Sequence, residues 1–329
     1  MPSQQVTWVG SQVEDFTIDQ LLGGGSFSRV YAGTAPDGRT RKAFKVARPA
    51  DTLGGSDAMT GCLPTRAILQ MEGAIAELEP DTGELLRKQA EKLQAITTKG
   101  LPEVEQVSAS LGLTWYRMPL LEGKTLRESI AAREPIMVDM FIDLVAKLNR
   151  LSSDPAFQYH GDLKPENVMV TKTGVTVLDP GYFGPLLDSK NRTENVAVTT
   201  PAYYPFLMPD DPFALGLILW EIASGQAPLA VRKYARDFDT AKVDAELLNV
   251  VREEEATGKA FFSAILGIRP LSEKHPHISP DYERFLLKAL RLEMRGNVVA
   301  LSEGFRSFSA MSGALMQLQA KGVTQLSLS

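Results

Sequence analysis

The 329-residue chain is poor in the residues that staple or decorate small domains: one cysteine, Cys62, three histidines and three tryptophans. A single cysteine excludes an intramolecular disulfide, and with it the disulfide scaffolds of secreted domains. Cys62 is read as a small apolar residue, with no reactivity assigned. His275 and His277 flank Pro276 in a polar stretch and are read as surface residues rather than metal ligands. Cationic charge is also short. Lys and Arg number 35 against 40 Asp and Glu, a net charge of −5, which argues against a nucleic-acid partner bound by phosphate neutralisation. No apolar run reaches the roughly 18 residues of a membrane span. Met1 to Val9 lacks a basic-then-apolar leader, so a cytoplasmic protein is expected.

What the chain does have is 44% hydrophobic residues, enough for a large core or two lobes. Its most informative stretch is Tyr159-His160-Gly161-Asp162-Leu163-Lys164-Pro165-Glu166-Asn167, followed by the apolar run Val168-Met169-Val170. A second run, Val175-Thr176-Val177-Leu178, ends in Asp179-Pro180-Gly181. Between them Lys172-Thr173-Gly174 predicts a tight hairpin turn, because glycine supplies a positive φ without steric cost. Such a hairpin gathers Asp162, Asn167 and Asp179 at one end. Two of them are oxygen ligands suited to a hard divalent cation that takes its remaining ligands from phosphates, and Asp162 is left to accept a hydroxyl proton. The blander reading is an Asp/Asn-rich turn before a hairpin.

These residues resemble the catalytic loop of the eukaryotic-like serine/threonine protein kinases found in bacteria, with Asp179-Pro180-Gly181 standing where that family has D-F-G. The resemblance runs from about Phe16 to Phe308. It implies an α+β, bilobal protein-kinase-like fold with a small β-rich N-lobe and a larger helical C-lobe. The corresponding division is a polar N-terminal extension (1–14), an N-lobe (15–118) with an insertion (48–83), a C-lobe (119–316) and a loosely held tail (317–329).

In the N-lobe, Phe16-Thr17-Ile18, Leu21-Leu22 and Arg29-Val30-Tyr31-Ala32 read as strands around Gly23-Gly24-Gly25-Ser26-Phe27-Ser28. Glycines there let backbone N–H groups approach phosphates. Ala43-Phe44-Lys45-Val46-Ala47 places one Lys in an apolar strand, which is costly unless an anion compensates it. By resemblance Lys45 holds the ATP α- and β-phosphates. Gly23, Gly25, Ser26, Val30 and Ala43 would surround the nucleotide, Met118 would back the adenine slot, and the Leu121 backbone would bond the base. The amphipathic helix expected over Glu84 to Ile96 carries Gln89 where the family has a Glu that pairs with the strand Lys; Glu72 is a possible substitute. Thr65 to Leu78 reads as a further helix, with Ile68, Met71, Ile75 and Leu78 on one face.

Past Gly181 a loop of about twenty residues is expected to reach Thr200-Pro201-Ala202-Tyr203, which resembles the peptide-docking segment. The A-P-E acid of the family is missing after Pro205. Asp211 is expected to cap a buried helix, with Asp210 the alternative. The region from Ala230 on is expected to be helical, with Arg295 in the place of the Arg that pairs with the A-P-E acid.

The resemblance implies phosphoryl transfer from ATP, with Mg²⁺ (Mn²⁺ possible), to a protein substrate. Asp162 would be the proton acceptor, Lys164 would steady the γ-phosphate, and Asn167 and Asp179 would hold the metal. Lys164 favours Ser or Thr acceptors. Gly161 replaces the Arg that reads a phosphorylated loop, so activity is expected not to depend on phosphorylation at Thr193, Thr199 or Thr200. Two other readings stay open. One is a pseudokinase scaffold, suggested by Gln89, Pro180 and the missing acid. The other is a small-molecule kinase of the aminoglycoside or choline type, which shares H-G-D.

Overall fold

Strict alternation in Ala43-Phe44-Lys45-Val46-Ala47 puts Phe44 and Val46 on one face of the N-terminal sheet and Ala43, Lys45 and Ala47 on the other. A computed structural model describes residues 8–48, 66–69, 80–110, 112–188, 190–200, 203–204, 209–225, 271–295 and 298–327. Within it β1 (Gln12–Val13), β2 (Phe16–Gly24), β3 (Ser28–Thr34) and β4 (Arg41–Ala47) form an antiparallel meander. After β5 (Arg66–Leu69) and α1 (Thr82–Ala95), β6 (Gln106–Ser110) and β7 (Leu113–Pro119) complete a six-stranded sheet in the order β1-β2-β3-β4-β7-β6.

Each face of the sheet has its own core. Trp8, Val13, Phe16, Ile18, Tyr31, Phe44, Val46 and Trp115 cover one. On the other, Leu86, Ala90 and Leu93 of α1 pack on Ala43, Ala47, Tyr116 and Met118. Each large apolar side chain so buried contributes about 1.5–3 kcal/mol. Trp8 is 1% exposed, so the supposed polar extension is partly N-lobe core; its aromatic ring, stacked on Tyr31, outweighs the polar residues around it. α1 begins at Thr82, capped by the Asp81 side chain accepting from the Glu84 N–H.

The C-lobe opens with β8 (Gly123–Thr125) and α2 (Leu126–Ala131), joined by a Thr125/Glu128 capping box. α3 (Val138–Leu151) buries Val138, Phe141, Leu144, Val145, Leu148 and Leu151 along one stripe. A 3₁₀ turn (Pro165–Asn167) leads into the hairpin of β9 (Val168–Thr171) and β10 (Gly174–Val177), whose turn uses Gly174 at φ +123. Then come β11 (Tyr182–Leu187), β12 (Thr193–Thr199) and α4 (Asp211–Ser224). α4 is buried nearly all round, and a Cβ at Gly216 would lie 2.3 Å from the Ala289 carbonyl of α5 (Pro280–Ala289). A hairpin of β13 (Leu292–Arg295) and β14 (Val298–Leu301) precedes α6 (Phe308–Ala320).

Several expectations are corrected. In the run read as a helix over 65–78, residues 66–69 form β5, which pairs with β12 in a sheet ordered β11-β12-β5; residues 65 and 70–78, with Glu72, lie outside the described residues. Four residues are too few to separate the two periods, and a waiting strand edge decides. The stretch after Gly181 is the β11–β12 hairpin rather than a loop. The described part of the region beyond Ala230 includes the β13–β14 hairpin as well as helices. Residues 317–320 finish α6, and beyond them Leu326 is fully buried, exchanging bonds with Ile136 and Tyr282. The described part of the segment expected to be loosely held, residues 317–327, is therefore docked.

Candidate active site

The backbone of the stretch from Tyr159 to Leu163 is anchored almost atom by atom. Asp211, at the start of α4, accepts the His160 N–H at 2.6 Å and the Gly161 N–H at 2.9 Å. The His160 carbonyl accepts from Gly181 N–H at 2.8 Å, and the Gly161 carbonyl from the Thr199 hydroxyl at 2.7 Å. Tyr204 takes the Leu163 N–H and donates to Asp211. Lys92 of α1 donates to the Tyr159 carbonyl at 2.9 Å. Buried main-chain groups need such partners, and here both ends of the β11–β12 hairpin supply them. Asp210, not Asp211, is the helix cap, accepting from Phe213 N–H. Burial pushes the Asp211 carboxyl up, against the bonds it accepts.

Two glycines are required here. Gly161 has φ +79, and a Cβ would lie 2.8 Å from the Phe183 ring. A Cβ on Gly181 would lie 2.7 Å from both the Gly161 and Val198 carbonyl oxygens. His160 is buried and bonds the Leu178 carbonyl through Nε2 at 2.8 Å, while its Nδ1 accepts the Asp162 N–H at 3.3 Å. Burial, with Lys92 nearby, lowers its pKa to about 3, so the ring is the neutral Nε2–H tautomer.

The structure brings the predicted residues of this loop together. Asn167 Nδ2 donates to the Asp162 carbonyl at 2.7 Å and to its carboxylate at 3.2 Å, and it reaches the Asp179 carbonyl at 3.4 Å. Lys164 Nζ lies 3.5 Å from the Asp162 carboxylate and donates to Thr200 Oγ1 at 2.8 Å. Asp179, at φ +50, pairs with Lys45 at 2.8 Å. Burial works against the Lys45 charge, but Asp179 and Tyr116 outweigh it and hold the ammonium above its usual range. Burial pushes Tyr116 up to about 12, opposed by Lys45. Gln89 meets Lys45 at 3.4 Å through Oε1 and donates to the Pro180 carbonyl at 3.1 Å through Nε2.

The residues expected on the nucleotide side sit around the same strands. Ala43 faces Met118 across the β4–β7 ladder, and Val30 faces Lys45 across β3–β4. Gly23 and Gly25 lie in the β2–β3 hairpin with Ser26 at its tip. A Cβ at Gly23 meets no protein atom within 4 Å, so internal packing does not demand glycine and the space is open to a ligand. Leu121 lines a cavity of about 480 Å³ with Leu101, Pro102, Lys147 and Arg150; that cavity includes none of Lys45, Asp162 or Asp179.

Asn167 offers an amide oxygen and Asp179 a carboxylate, both hard-oxygen donor types, and the two residues are neighbours through Asn167 Nδ2 and the Asp179 carbonyl. Among the described residues no cluster of three or more His, Cys, Asp or Glu could hold a metal alone. That composition fits Mg²⁺, which keeps several ligands from water and phosphate.

Sequence reasoning missed four things. Thr199 and Thr200 are fully buried and bonded, so neither is an exposed modification site, whereas Thr193 is exposed. Lys92 escaped notice, although Leu85, Gln89 and Lys92 fall on one helical stripe at i, i+4, i+7. Arg291 was not singled out, yet it pairs with Asp210; the side chain of Arg295 lies outside what is described, so its expected role is left open. Arg127 was overlooked as well: it pairs with Glu166 at 2.8 Å and with Glu221, and its guanidinium reaches Tyr203 at 2.9 Å.

No protein-family model matches the chain. Among curated proteins it is similar to probable serine/threonine-protein kinases. One is from Clostridium perfringens (23% identical over 155 residues, 43% of this chain and 22% of that protein). Another is PknB of Corynebacterium glutamicum (24% over 231 residues, 65% and 32%). A third is PknB of Lactococcus lactis (27% over 126 residues, 34% and 20%). The matched part thus spans only about a fifth to a third of these relatives' length. Among solved structures, a variant of the Mycobacterium tuberculosis PknI kinase domain aligns with TM-score 0.51 at 16% identity, covering 94% of this chain and 98% of that one. PpkA in its apo form aligns with TM-score 0.53 at 16% identity, covering 95% and 100%.

Proposed function

We propose that this chain, which has the bilobal protein-kinase fold and a sequence related to bacterial-type serine/threonine protein kinases, transfers the terminal phosphoryl group of ATP to Ser or Thr hydroxyls of a protein. The observation that carries the reading is the cluster of Asp162, Lys164 and Asn167 on one anchored loop, with Thr200 reaching Lys164 from the end of β12. Asp162 accepts the proton from the attacking hydroxyl as its oxygen bonds to phosphorus and the bond to the ADP oxygen breaks. Lys164, held between Asp162 and Thr200, steadies the transferring group, and Lys45 holds the phosphates that stay behind. Catalysis is then mostly positioning and charge neutralisation. Asn167 and Asp179 would hold Mg²⁺ or Mn²⁺, which when bound neutralises charge on the phosphate oxygens.

Phosphorylation of the β11–β12 segment is not needed in this scheme. Its strand β12 is paired on both edges, its two ends bond the catalytic loop, and position 161 offers no cation to read a phosphate. The test is transfer of labelled γ-phosphate to the protein itself and to casein, beside Asp162→Ala and Thr193→Ala. Label that disappears in the first variant and persists in the second supports the reading. No label, with nucleotide still raising Tm, moves the chain to a scaffold or a small-molecule kinase. Label lost in a folded Thr193→Ala protein refutes the independence from phosphorylation.

A further inference from the structure

We propose that Lys92 is a positioning residue for this phosphoryl transfer, gripping the Tyr159–His160 peptide from the N-lobe; the proposal rests on the kinase reading above. Lys92 lies on α1, three residues after Gln89. Its ammonium donates to the Tyr159 carbonyl at 2.9 Å and sits 4.5 Å over the Tyr159 ring and 5.9 Å over that of Phe157. The N–H of the same peptide unit, on His160, is held by the Asp211 carboxylate at 2.6 Å. One peptide plane is therefore held at oxygen by a cation on α1 and at nitrogen by an anion on α4. Both charges polarise that peptide in the same sense, so each strengthens the other's hydrogen bond.

The placement matters because the next residue, Gly161, turns the chain through φ +79 into Asp162. A rotation of the gripped peptide is passed directly to the carboxylate that takes the proton. A displacement of about 1 Å at such a group costs on the order of a hundredfold in rate. Gly161 carries no charge of its own, so Lys92 is a cation delivered to this turn from the other lobe, on the same helix whose Gln89 meets Lys45. The site is a poor one for a Lys kept only for stability. Enclosure lowers its pKa to about 8 even with Asp211 nearby, so the ammonium is held against a desolvation cost that an apolar side chain of similar length would not meet.

The test uses Lys92→Met and Lys92→Arg in the full chain, with casein phosphorylation, thermal unfolding and hydrogen exchange of the amides at 158–163. In Lys92→Met we expect kcat to fall at least about tenfold with KM for ATP within about twofold, since a positioning contact acts on the transition state. Tm should stay within about 2 °C of the parent or rise, and the His160 and Gly161 amides should exchange faster. Lys92→Arg keeps the charge and should recover most of the lost kcat. Unchanged kcat in Lys92→Met overturns the proposal; so do kcat and Tm falling together with no recovery by Arg. If the parent shows no Asp162-dependent transfer, the kinase reading fails, and exchange alone decides Lys92: unaltered amides in Lys92→Met refute the grip.

Discussion

Gln89→Glu would give α1 the acid that the resemblance asks for, and the geometry predicts a less stable protein. Gln89 Oε1 lies 3.4 Å from Lys45 Nζ, and Lys45 already pairs with Asp179 at 2.8 Å. At that separation and an effective dielectric of about 20, a new carboxylate gains about 5 kcal/mol against Lys45 before any desolvation. Contact with the same ammonium also brings it within roughly 6 Å of the Asp179 carboxylate, a repulsion of about 3 kcal/mol. The exchange removes the Nε2 donor that serves the Pro180 carbonyl at 3.1 Å. Two oxygens then face each other, a loss of about 1–3 kcal/mol. Moving a carboxylate into a partly buried cleft costs several kcal/mol more.

The balance is unfavourable by about 2 kcal/mol or more, a fall in Tm of about 3 °C or more for a chain of this size. The assay is thermal unfolding of the nucleotide-free protein, parent and variant side by side, at about pH 7.5 and about pH 5. Repulsion and desolvation raise the folded-state pKa of the new Glu above its unfolded value. The deficit is therefore small where the carboxyl is protonated and grows as pH rises through the folded pKa. His160, already neutral with its pKa near 3, does not titrate in this window. A variant that is more stable than the parent at the higher pH would refute the reasoning, and would mean that Asp179 yields Lys45 to α1 at little cost.

Gly161→Ala forces a Cβ into a left-handed backbone, costing about 1–2 kcal/mol, and against Phe183; we expect a lower Tm and a loss of transfer greater than tenfold, and parent-like activity would contradict the strain argument. Ala67→Asp puts a charge among Leu85, Leu186, Val196 and Val198, which is unfavourable by several kcal/mol and should free β5. Hydrogen exchange should then speed up across 193–199 and transfer should fall; a rise in transfer would instead mark β5 as inhibitory.

The hairpin was legible because its pattern is local: Asn167 and Asp179 flank one two-residue turn, Lys172-Thr173, closed by Gly174, and Asp162 lies five residues before Asn167. The buried helix at Asp211 was legible from its length and apolarity, though not its cap, since adjacent Asp residues compete and only the fold shows which side chain faces the Phe213 N–H. The strand at 66–69 was not legible. Its identity depends on an edge of β12 that lies some 130 residues away, and β-structure is decided by such neighbours more than by propensity. Docking of Leu326 was hidden for the same reason, its partners Ile136 and Tyr282 being remote in sequence. The burial of Thr200 was not legible either, because sequence alone does not show that Lys164 reaches it.

The departures from the family pattern meet at one joint and compensate one another there. Gln89 lacks charge, so Asp179 neutralises Lys45, and the amide is released to hold the Pro180 carbonyl. Pro180 has no N–H and a fixed φ, so its turn is secured through that carbonyl and through the Gly181 N–H on His160. Gly161 has no cation, and Lys92 brings one from α1. Leu85 of the same helix packs with Ala67 of β5 and with Leu186, Val196 and Val198 of the hairpin. Helix α1 is thereby tied to the Tyr159–Leu163 loop and to the β11–β12 segment by side-chain bonds to main-chain carbonyls and by apolar contact. Such contacts form with the fold itself and do not wait on a phosphate, which is the physical basis of the phosphorylation-independent activity proposed above.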